Sequence, residues 1–252
     1  MALPDARKVS LDVSELTYRQ LNAVLRQMVS NGVEEINLHN VYGQRYIGTD
    51  LDNPVTIEIN GVPGNDLGAF MDGPRIIVRG NAQDGCGNTM NGGEIVIHGH
   101  AGDATGLSAR GGKIFVRDSI GYRGAIHMKE YGDRRPVLVV GGSAQDFFGE
   151  YIAGGTAILL GLNLTEGESH KARFLGTGMH GGVIYLRGSV DESRLGREVG
   201  IAPLEESDFE IIRGFVAEFA TLFGYDPTAI LEGQFIKLVP RSLRPYGRIY
   251  AY

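Results

Sequence analysis

Short apolar runs recur along the middle of the chain, and glycine-rich segments separate them. The runs RIIV, EIVI and KIFV begin at residues 75, 94 and 113, and their apolar side chains fall on alternating faces. Runs of this length that are rich in Ile and Val are typical of β-strands rather than of helices. The pattern therefore predicts a series of short strands joined by tight turns.

The runs belong to an internal repeat of about 19 to 20 residues, in which a lone glycine precedes a glycine pair and then the strand. The lone glycines are Gly48, Gly68, Gly87, Gly106, Gly124, Gly149 and Gly176. Strand-sized runs in a repeat of this length are typical of a β-solenoid, in which each repeat forms one coil. We predict that these glycines lie at corners, where φ is positive or where stacked turns leave no room for a Cβ atom.

Alternate residues of each strand are predicted to face the solenoid interior. They are Ile76 and Val78, Ile95 and Ile97, Ile114 and Val116, Val137 and Val139, Ala157 and Leu159, and Ile184 and Leu186. Because coils stack about 4.8 Å apart, these side chains should form aliphatic ladders. The outward residues also form an apolar stripe, which a water-facing surface does not favour. This stripe comprises Ile77, Val96, Phe115, Leu138, Ile158 and Tyr185.

Two covers for the apolar stripe are open. The chain's own helices are the favoured cover, and a partner protein is the alternative, with Phe115, Leu138, Ile158 and Tyr185 as the partner-facing residues. Charged insertions at residues 127–136 and 162–173 interrupt the repeat, and insertions in solenoids collect on binding faces. The insertions therefore keep the partner alternative open.

Both ends of the chain are predicted to carry helices that cover the open ends of the solenoid. Thr17 and Gln20 have the spacing of a capping box, and Ser207 and Glu210 have the same spacing near the other end. The chain then divides into an amino-terminal helix and strand cap (1–41), a β-helix (42–190) and a carboxyl-terminal helical extension (191–252).

Composition narrows the classes of function. The 24 Lys and Arg against 30 Asp and Glu give a net charge of −6, which argues against a nucleic-acid partner. The chain has 38 glycines but no G-x-x-x-x-G-K-[ST] motif, so they are not read as a phosphate loop. The one cysteine, Cys86, and the lack of an export or membrane-spanning pattern favour a cytoplasmic protein.

Two polar sets are candidates for chemistry. A column three residues before the lone glycines comprises Asn65, Asp84, Asp103 and Asp146, and Gly121 interrupts it. Such a column holds a cation or hydrogen-bonds its own turns, and turn bonding is favoured. The candidate histidines, five of the six in the chain, are His98, His100, His127, His170 and His180, and their spacing indicates neither a metal site nor a triad. The sequence thus predicts no catalytic, cofactor-binding or metal-binding residue.

The segments GVPGNDLGAFMDGPRIIVRGNAQDGCGNTMNGGEIVIHG and GTGMHGGVIYLRG resemble the GXGXG domain at the carboxyl end of the glutamate synthase large subunit. The stand-alone version of that domain, the archaeal-type synthase subunit 3, is the most similar form, and the resemblance covers roughly residues 40–190. One of the subunits of formylmethanofuran dehydrogenase is similar but more distant. The resemblance implies an all-β, single-stranded, right-handed parallel β-helix of about seven coils.

The resemblance also implies a function. In that family the domain has no catalytic residues and packs against an FMN and iron–sulfur domain and a glutamine amidotransferase domain. This chain lacks both regions, so we expect a non-catalytic scaffold subunit of a multisubunit glutamate synthase, with FMN and iron–sulfur clusters on partner subunits.

Other functions remain open. A formylmethanofuran dehydrogenase-like or N-methylglutamate synthase-like complex is one alternative. A carbohydrate-acting enzyme that uses Asp84 and Asp103 is ranked lower, because the chain has no Trp for sugar stacking. Exposed solenoid edges favour a homo-oligomer when the chain is isolated.

Overall fold

The computed structural model describes residues 7–241, and these residues form a parallel β-solenoid of about eight turns. The prediction of an all-β parallel solenoid is therefore confirmed, with about eight turns where about seven coils were expected. The elements are β1 (Lys8–Asp12), α1 (Tyr18–Ser30), β2 (Glu35–Tyr42), β3 (Thr56–Val62), β4 (Arg75–Val78), β5 (Glu94–Ile97), β6 (Lys113–Val116), β7 (Val137–Val140), β8 (Ala153–Leu159), β9 (Ser169–His170), β10 (Gly181–Arg187), β11 (Ser189–Val190), β12 (Val199–Ala202), α2 (Glu206–Phe223), α3 (Pro227–Leu231) and β13 (Phe235–Pro240).

One long sheet runs the length of the solenoid. Its strand order is β1-β2-β3-β4-β5-β6-β7-β8-β10-β13-β12, and every pair from β1 to β10 is parallel. Strands β1 and β2 thus belong to the same sheet as the repeat. At the other end β13 pairs with β10 in the antiparallel direction, and β12 pairs with β13 likewise. The short strands β9 and β11 form a separate two-stranded sheet.

The solenoid interior is an aliphatic ladder. Equivalent positions of successive strands carry Ile57, Ile76, Ile95, Ile114, Leu138, Ala157 and Ile184, all of them buried. This stacking removes branched apolar side chains from water along the whole sheet, which is the dominant favourable contribution to folding. Helix α1 closes the amino-terminal end of this core, because Leu21, Leu25 and Val29 pack into the same cluster.

The prediction for β7 was wrong by one residue. Leu138 pairs with Ile114, and Val140 pairs with Val116, so these two side chains face the interior. Val137 and Val139 face outward, although the sequence pattern predicts them inside. All four residues of β7 are apolar and buried, so alternation could not specify its faces.

Helix α2 covers the outer face of the sheet rather than the open end of the solenoid. Its Ile212, Val216 and Phe219 pack in one buried cluster with Phe115, Val139, Ile158 and Tyr185. The carboxyl-terminal end of the sheet is instead bordered by β13 and β12. The apolar stripe therefore has its cover within the chain, which is the favoured one of the two alternatives.

A buried carboxylate fixes the start of α2 to the sheet. Asp208 accepts hydrogen bonds from the Tyr185 hydroxyl at 2.5 Å, from Lys237 Nζ at 2.7 Å and from the Glu205 backbone N–H at 2.7 Å. The capping box is thus Glu205 with Asp208, and the predicted Ser207–Glu210 box was wrong. Burial raises the pKa of the Asp208 carboxyl, but Lys237, Tyr185 and the Glu205 N–H outweigh burial and hold that pKa below its ordinary value.

Each glycine corner contains three residues with left-handed backbone at alternate positions. In one coil they are Asp66, Gly68 and Phe70, with φ of 61°, 64° and 60°. The middle position is the lone glycine in six coils: Gly48, Gly68, Gly87, Gly106, Gly149 and Gly176, with φ between 64° and 77°. This conformation costs an L-residue about 1–2 kcal/mol, so glycine suits the position.

Gly124 does not occupy this corner position, and its equivalent is Ala125. In that coil the left-handed residues are Arg123, Ala125 and His127, with φ of 59°, 59° and 55°. The Ala125 N–H donates to the Thr105 carbonyl of the preceding coil, as the Gly106 N–H donates to Cys86. The prediction for Gly124 was therefore shifted by one residue.

Gly124 is instead an interior position that makes room for a neighbouring ring. Its carbonyl accepts the inter-coil hydrogen bond from the Gly149 N–H, and Phe148 is fully buried in the next coil. A Cβ atom on Gly124 would overlap Ile120 Cδ1 and would lie 3.1 Å from Phe148 Cδ2. Because the φ of Gly124 is not positive, backbone conformation does not require a glycine here. Close packing requires it.

Gly124→Ala should lower the free energy of unfolding by about 1–3 kcal/mol, because the added methyl group overpacks the core against Ile120 and Phe148. Gly214→Ala, in the middle of α2 with no atom within 4 Å of the added Cβ, should instead raise it by about 0.5–1 kcal/mol. Urea unfolding followed by circular dichroism measures both. Equal effects of the two substitutions would contradict the packing role of Gly124.

Asp208→Asn should lower the free energy of unfolding at pH 7 by about 3 kcal/mol, because it leaves the largely enclosed Lys237 ammonium, whose side chain is 16% exposed, without its carboxylate. The folded-state pKa of Asp208 lies below the ordinary value. Its contribution is therefore present above the ordinary pKa, and it disappears as pH falls through the folded-state pKa. Urea midpoints of wild type and variant should accordingly converge in acid.

Glu206→Gln is the control for Asp208→Asn, because Glu206 pairs with Arg213 on the exposed side of the same helix. Exposed pairs contribute less than about 1 kcal/mol. A loss at Glu206 as large as that at Asp208 would show that general charge, not the buried contact, stabilises α2.

Candidate partner-binding surface

The residues predicted to face a partner are buried within the chain. Phe115, Ile158 and Tyr185 lie beneath α2 and are at most 1% exposed. Leu138 is in the solenoid interior because β7 has the shifted facing described above. None of the four is therefore available to a partner, and the partner-facing prediction was wrong for this face.

The exterior of the glycine corners carries exposed aromatic side chains instead. In the later coils Phe147 stacks on Phe174 with ring centroids 4.9 Å apart, and His127 stacks on Tyr151 at 5.3 Å. The Arg123 guanidinium carbon lies 5.4 Å from the centre of the Phe147 ring. We call Arg123, His127, Phe147, Glu150, Tyr151 and Phe174 the aromatic corner patch.

The aromatic residues of this patch occupy strained backbone positions. Phe147, Tyr151 and Phe174 have φ of 66°, 54° and 60°, a region where bulky residues are genuine outliers. Each costs about 1–2 kcal/mol relative to glycine, and Tyr151 and Phe174 remain 45% and 48% exposed. The backbone conformation does not explain why aromatic residues occupy these positions. Tyr, Phe and Arg presented on a rigid surface are typical of protein-binding sites.

Glu150 lies within the aromatic corner patch and is 9% exposed. Its Oε2 atom is 3.5 Å from Arg123 Nε but accepts no hydrogen bond from the described residues. A buried carboxylate oxygen without a donor costs free energy, because it has lost its hydration. The positive charge of Arg123 at 3.5 Å offsets part of that cost.

The aspartate column bonds between coils. Asp84 Oδ1 accepts from the Asp103 N–H at 2.9 Å, Asp103 Oδ1 accepts from the Tyr122 N–H at 2.8 Å, and Asp146 Oδ1 accepts from the Arg173 N–H at 2.8 Å. That last bond, with the Arg173 guanidinium, holds the pKa of Asp146 below its ordinary value. The residue interrupting the column is Tyr122, not Gly121, because of the shift at Ala125.

A second inter-coil ladder was missed by the sequence analysis. Asn81 Oδ1 accepts from the His100 N–H, His100 Nδ1 accepts from the Ser119 N–H, and Ser119 Oγ accepts from the Ser143 N–H. The sequence signal that could have revealed this ladder is a polar residue at the same position after each strand. Different residue types occupy this place from coil to coil, so the sequence pattern was weak.

The other histidines do not converge. His98 packs edge-on against Phe223, and burial together with Arg79 lowers its pKa. His170 and His180 contact the backbone carbonyls of Arg187 and Gly178. Among residues 7–241, no three His, Cys, Asp or Glu side chains come together as a metal site.

Cys86 is fully buried and its thiol donates to the Gln83 carbonyl. Burial, with the carboxylates of Asp84 and Asp66, raises the pKa of this thiol to about 12. The thiol therefore stays protonated at neutral pH, and a protonated thiol is a poor nucleophile.

The insertion at 162–173 borders a polar cavity of about 300 Å³. Ser119, Ser143 and Asn163 line it with Lys171 and Glu168, whose pKa the Lys171 ammonium and Thr165 lower to about 2. The Glu168 carboxylate is therefore ionised at neutral pH and neutralises the lysine beside it.

In the part of the chain that the structure describes, no helix is long and apolar enough to cross a membrane.

The chain is 47% identical over 251 residues to an uncharacterized protein of Methanocaldococcus jannaschii, and the match covers 96% of each sequence.

The fold is similar to that of a chain in the crystal structure of the formyltransferase/hydrolase complex from Methylorubrum extorquens with methylofuran. The TM-score is 0.59 at 17% identity, with 95% of this chain and 97% of that chain covered. The GXGXG motif family model matches residues 12–241, which is most of the sequence. The chain therefore belongs to the GXGXG motif family, the domain found in the glutamate synthase large subunit.

Proposed function

We propose that this chain is a scaffold subunit of a multisubunit enzyme complex. The aromatic corner patch carries the proposal, because its stacked, strained and exposed rings serve no purpose in the core. Rigid aromatic side chains lose little conformational entropy when they bind, so they are efficient contacts for another protein. A fold-level relative that is part of a complex supports the same function.

The complex that we propose first is a glutamate synthase, which transfers the amide nitrogen of glutamine to 2-oxoglutarate with reduction. Family membership supports this choice. The partners would be an FMN-binding synthase subunit and a glutamine amidotransferase subunit, with FMN and iron–sulfur clusters held by partners rather than by this chain. We place the complex in the cytoplasm.

A formyl-transferring complex is the second candidate. The similarity of fold to a chain of the formyltransferase/hydrolase complex favours it, with 95% of this chain covered. An N-methylglutamate synthase-like complex is a variant of the same scaffold role. A carbohydrate-acting enzyme using Asp84 and Asp103 is not favoured, because both carboxylates already bond the backbone of the next coil.

The tagged chain, purified from its native host, should recover stoichiometric partner subunits identified by mass spectrometry. A flavin absorption spectrum together with an amidotransferase would support the glutamate synthase, whereas formyltransferase and hydrolase subunits would support the second candidate. Recovery of the chain alone at physiological salt would contradict the scaffold function.

Tyr151→Asn combined with Phe174→Asn should reduce partner recovery at least tenfold, because Asn tolerates the left-handed backbone but removes the apolar contact. Thermal stability should be unchanged or higher, since strain is relieved. Phe209→Ala is the matched control, because Phe209 is 41% exposed but lies on α2 and not at a glycine corner. Equal loss with Phe209→Ala would remove the patch from the interface.

A further inference from the structure

A groove lined by tyrosine and arginine crosses the amino-terminal end of the solenoid. One cavity of about 270 Å³ is lined by Tyr18, Arg19, Asn22, Arg26, Tyr46 and Thr49. An adjoining cavity of about 510 Å³ shares Tyr18 and includes Tyr42 and Arg45. We call these two cavities the amino-terminal groove.

The walls of the groove are held by polar contacts between α1 and the loop after β2. Asn22 Nδ2 donates to the Tyr18 carbonyl at 2.8 Å and to the Arg45 carbonyl at 2.9 Å. Gln44 Nε2 donates to the Val13 carbonyl at 3.1 Å. The groove is therefore largely formed before any ligand binds, which lowers the entropic cost of binding.

The arginines of the groove lack carboxylate partners. Arg19 contacts the Tyr18 hydroxyl, and Arg26 donates to the Thr49 carbonyl, which is a neutral acceptor. Within residues 7–241, Arg19, Arg26 and Arg45 form no ion pair, whereas most basic residues of the neighbouring strands do. Arg19 and Arg26 line the smaller cavity and Arg45 lines the larger one, so the groove carries three positive groups on a chain whose net charge is −6.

Two further features favour an anionic ligand with aromatic or apolar groups. Helix α1 begins at Tyr18 with no acidic residue in its first turn, so its positive end adds to the arginines. The rings of Tyr18 and Tyr46 lie 5.9 Å apart, and Tyr42 is 74% exposed. Rings alternating with guanidinium groups match a segment in which acidic and aromatic side chains alternate.

We propose that the amino-terminal groove binds an acidic, aromatic-containing segment of a partner protein. Charge complementarity selects this ligand, because acidic carboxylates would accept from Arg19, Arg26 and Arg45. A long polyanion such as RNA is disfavoured, because the rest of this acidic chain repels its backbone. The inference deepens the scaffold function and rests on it for the identity of the partner as a subunit.

A fluorescein-labelled eight-residue peptide in which glutamate and tyrosine alternate should bind the full chain with a Kd below about 100 µM at low salt, measured by anisotropy. Arg19→Gln combined with Arg45→Gln should weaken binding at least tenfold. Tyr46→Asn should weaken it about threefold, because asparagine accepts the φ of 63° at this position.

Arg110→Gln is the matched control, since Arg110 is also exposed and without an ion pair among residues 7–241 but lies in a central coil. Equal loss with this control would overturn the proposal, as would equal binding of a peptide with lysine for glutamate, no binding, or tighter binding of an eight-nucleotide uridine RNA. Peptide binding without copurified subunits would support the groove proposal and contradict the scaffold function. Copurified subunits without peptide binding would contradict the groove proposal alone.

Discussion

Coil-upon-coil stacking is the constraint on which the rest of this structure depends. Most strand and corner positions between β2 and β10 have an equivalent in the neighbouring coils, and hydrogen bonds join these equivalents. A side chain therefore meets mainly its counterparts one coil away. Gly124 shows the result. It has no side chain, and this leaves room for the large ring of Phe148 at the equivalent position of the following coil.

The same constraint explains how polar groups are satisfied at the edges of the coils. Asp84, Asp103 and Asp146 each accept a backbone N–H from the following coil, and Asn81, His100 and Ser119 do the same beside the strand. These side chains replace ladder bonds where the backbone turns away from strand geometry. Columns of acidic or imidazole groups in such a fold are thus explained by backbone bonding before any chemistry is invoked.

Much of the fold could be predicted from the sequence, because the repeat and the Ile and Val alternation survive in most coils. The interior ladder from Ile76 to Ile114 has the predicted facing. The prediction failed where the local signal is ambiguous. Strand β7 is apolar at all four positions, and GYRGA offers a glycine one residue before the true corner at Ala125.

The candidate surfaces were less predictable than the fold. The apolar stripe at Phe115 and Tyr185 indicated a cover, but only tertiary packing shows that α2 supplies it. The stacked pairs in the aromatic corner patch join residues 24 and 27 positions apart, where insertions have broken the regular spacing. Alternating left-handed residues carry no composition signal when they are Phe, Tyr, Arg or His.

The antiparallel return of β13 onto β10 has a consequence for length. The regular parallel ladder ends there because the sheet reverses direction, while α1 packs into the core at the opposite end. The number of coils between two surfaces therefore fixes the distance between them. Five coil steps separate Tyr46 in the amino-terminal groove from Phe147 in the aromatic corner patch, about 24 Å at 4.8 Å per coil. Inserting or deleting one repeat would change that spacing by one rung while leaving both surfaces intact.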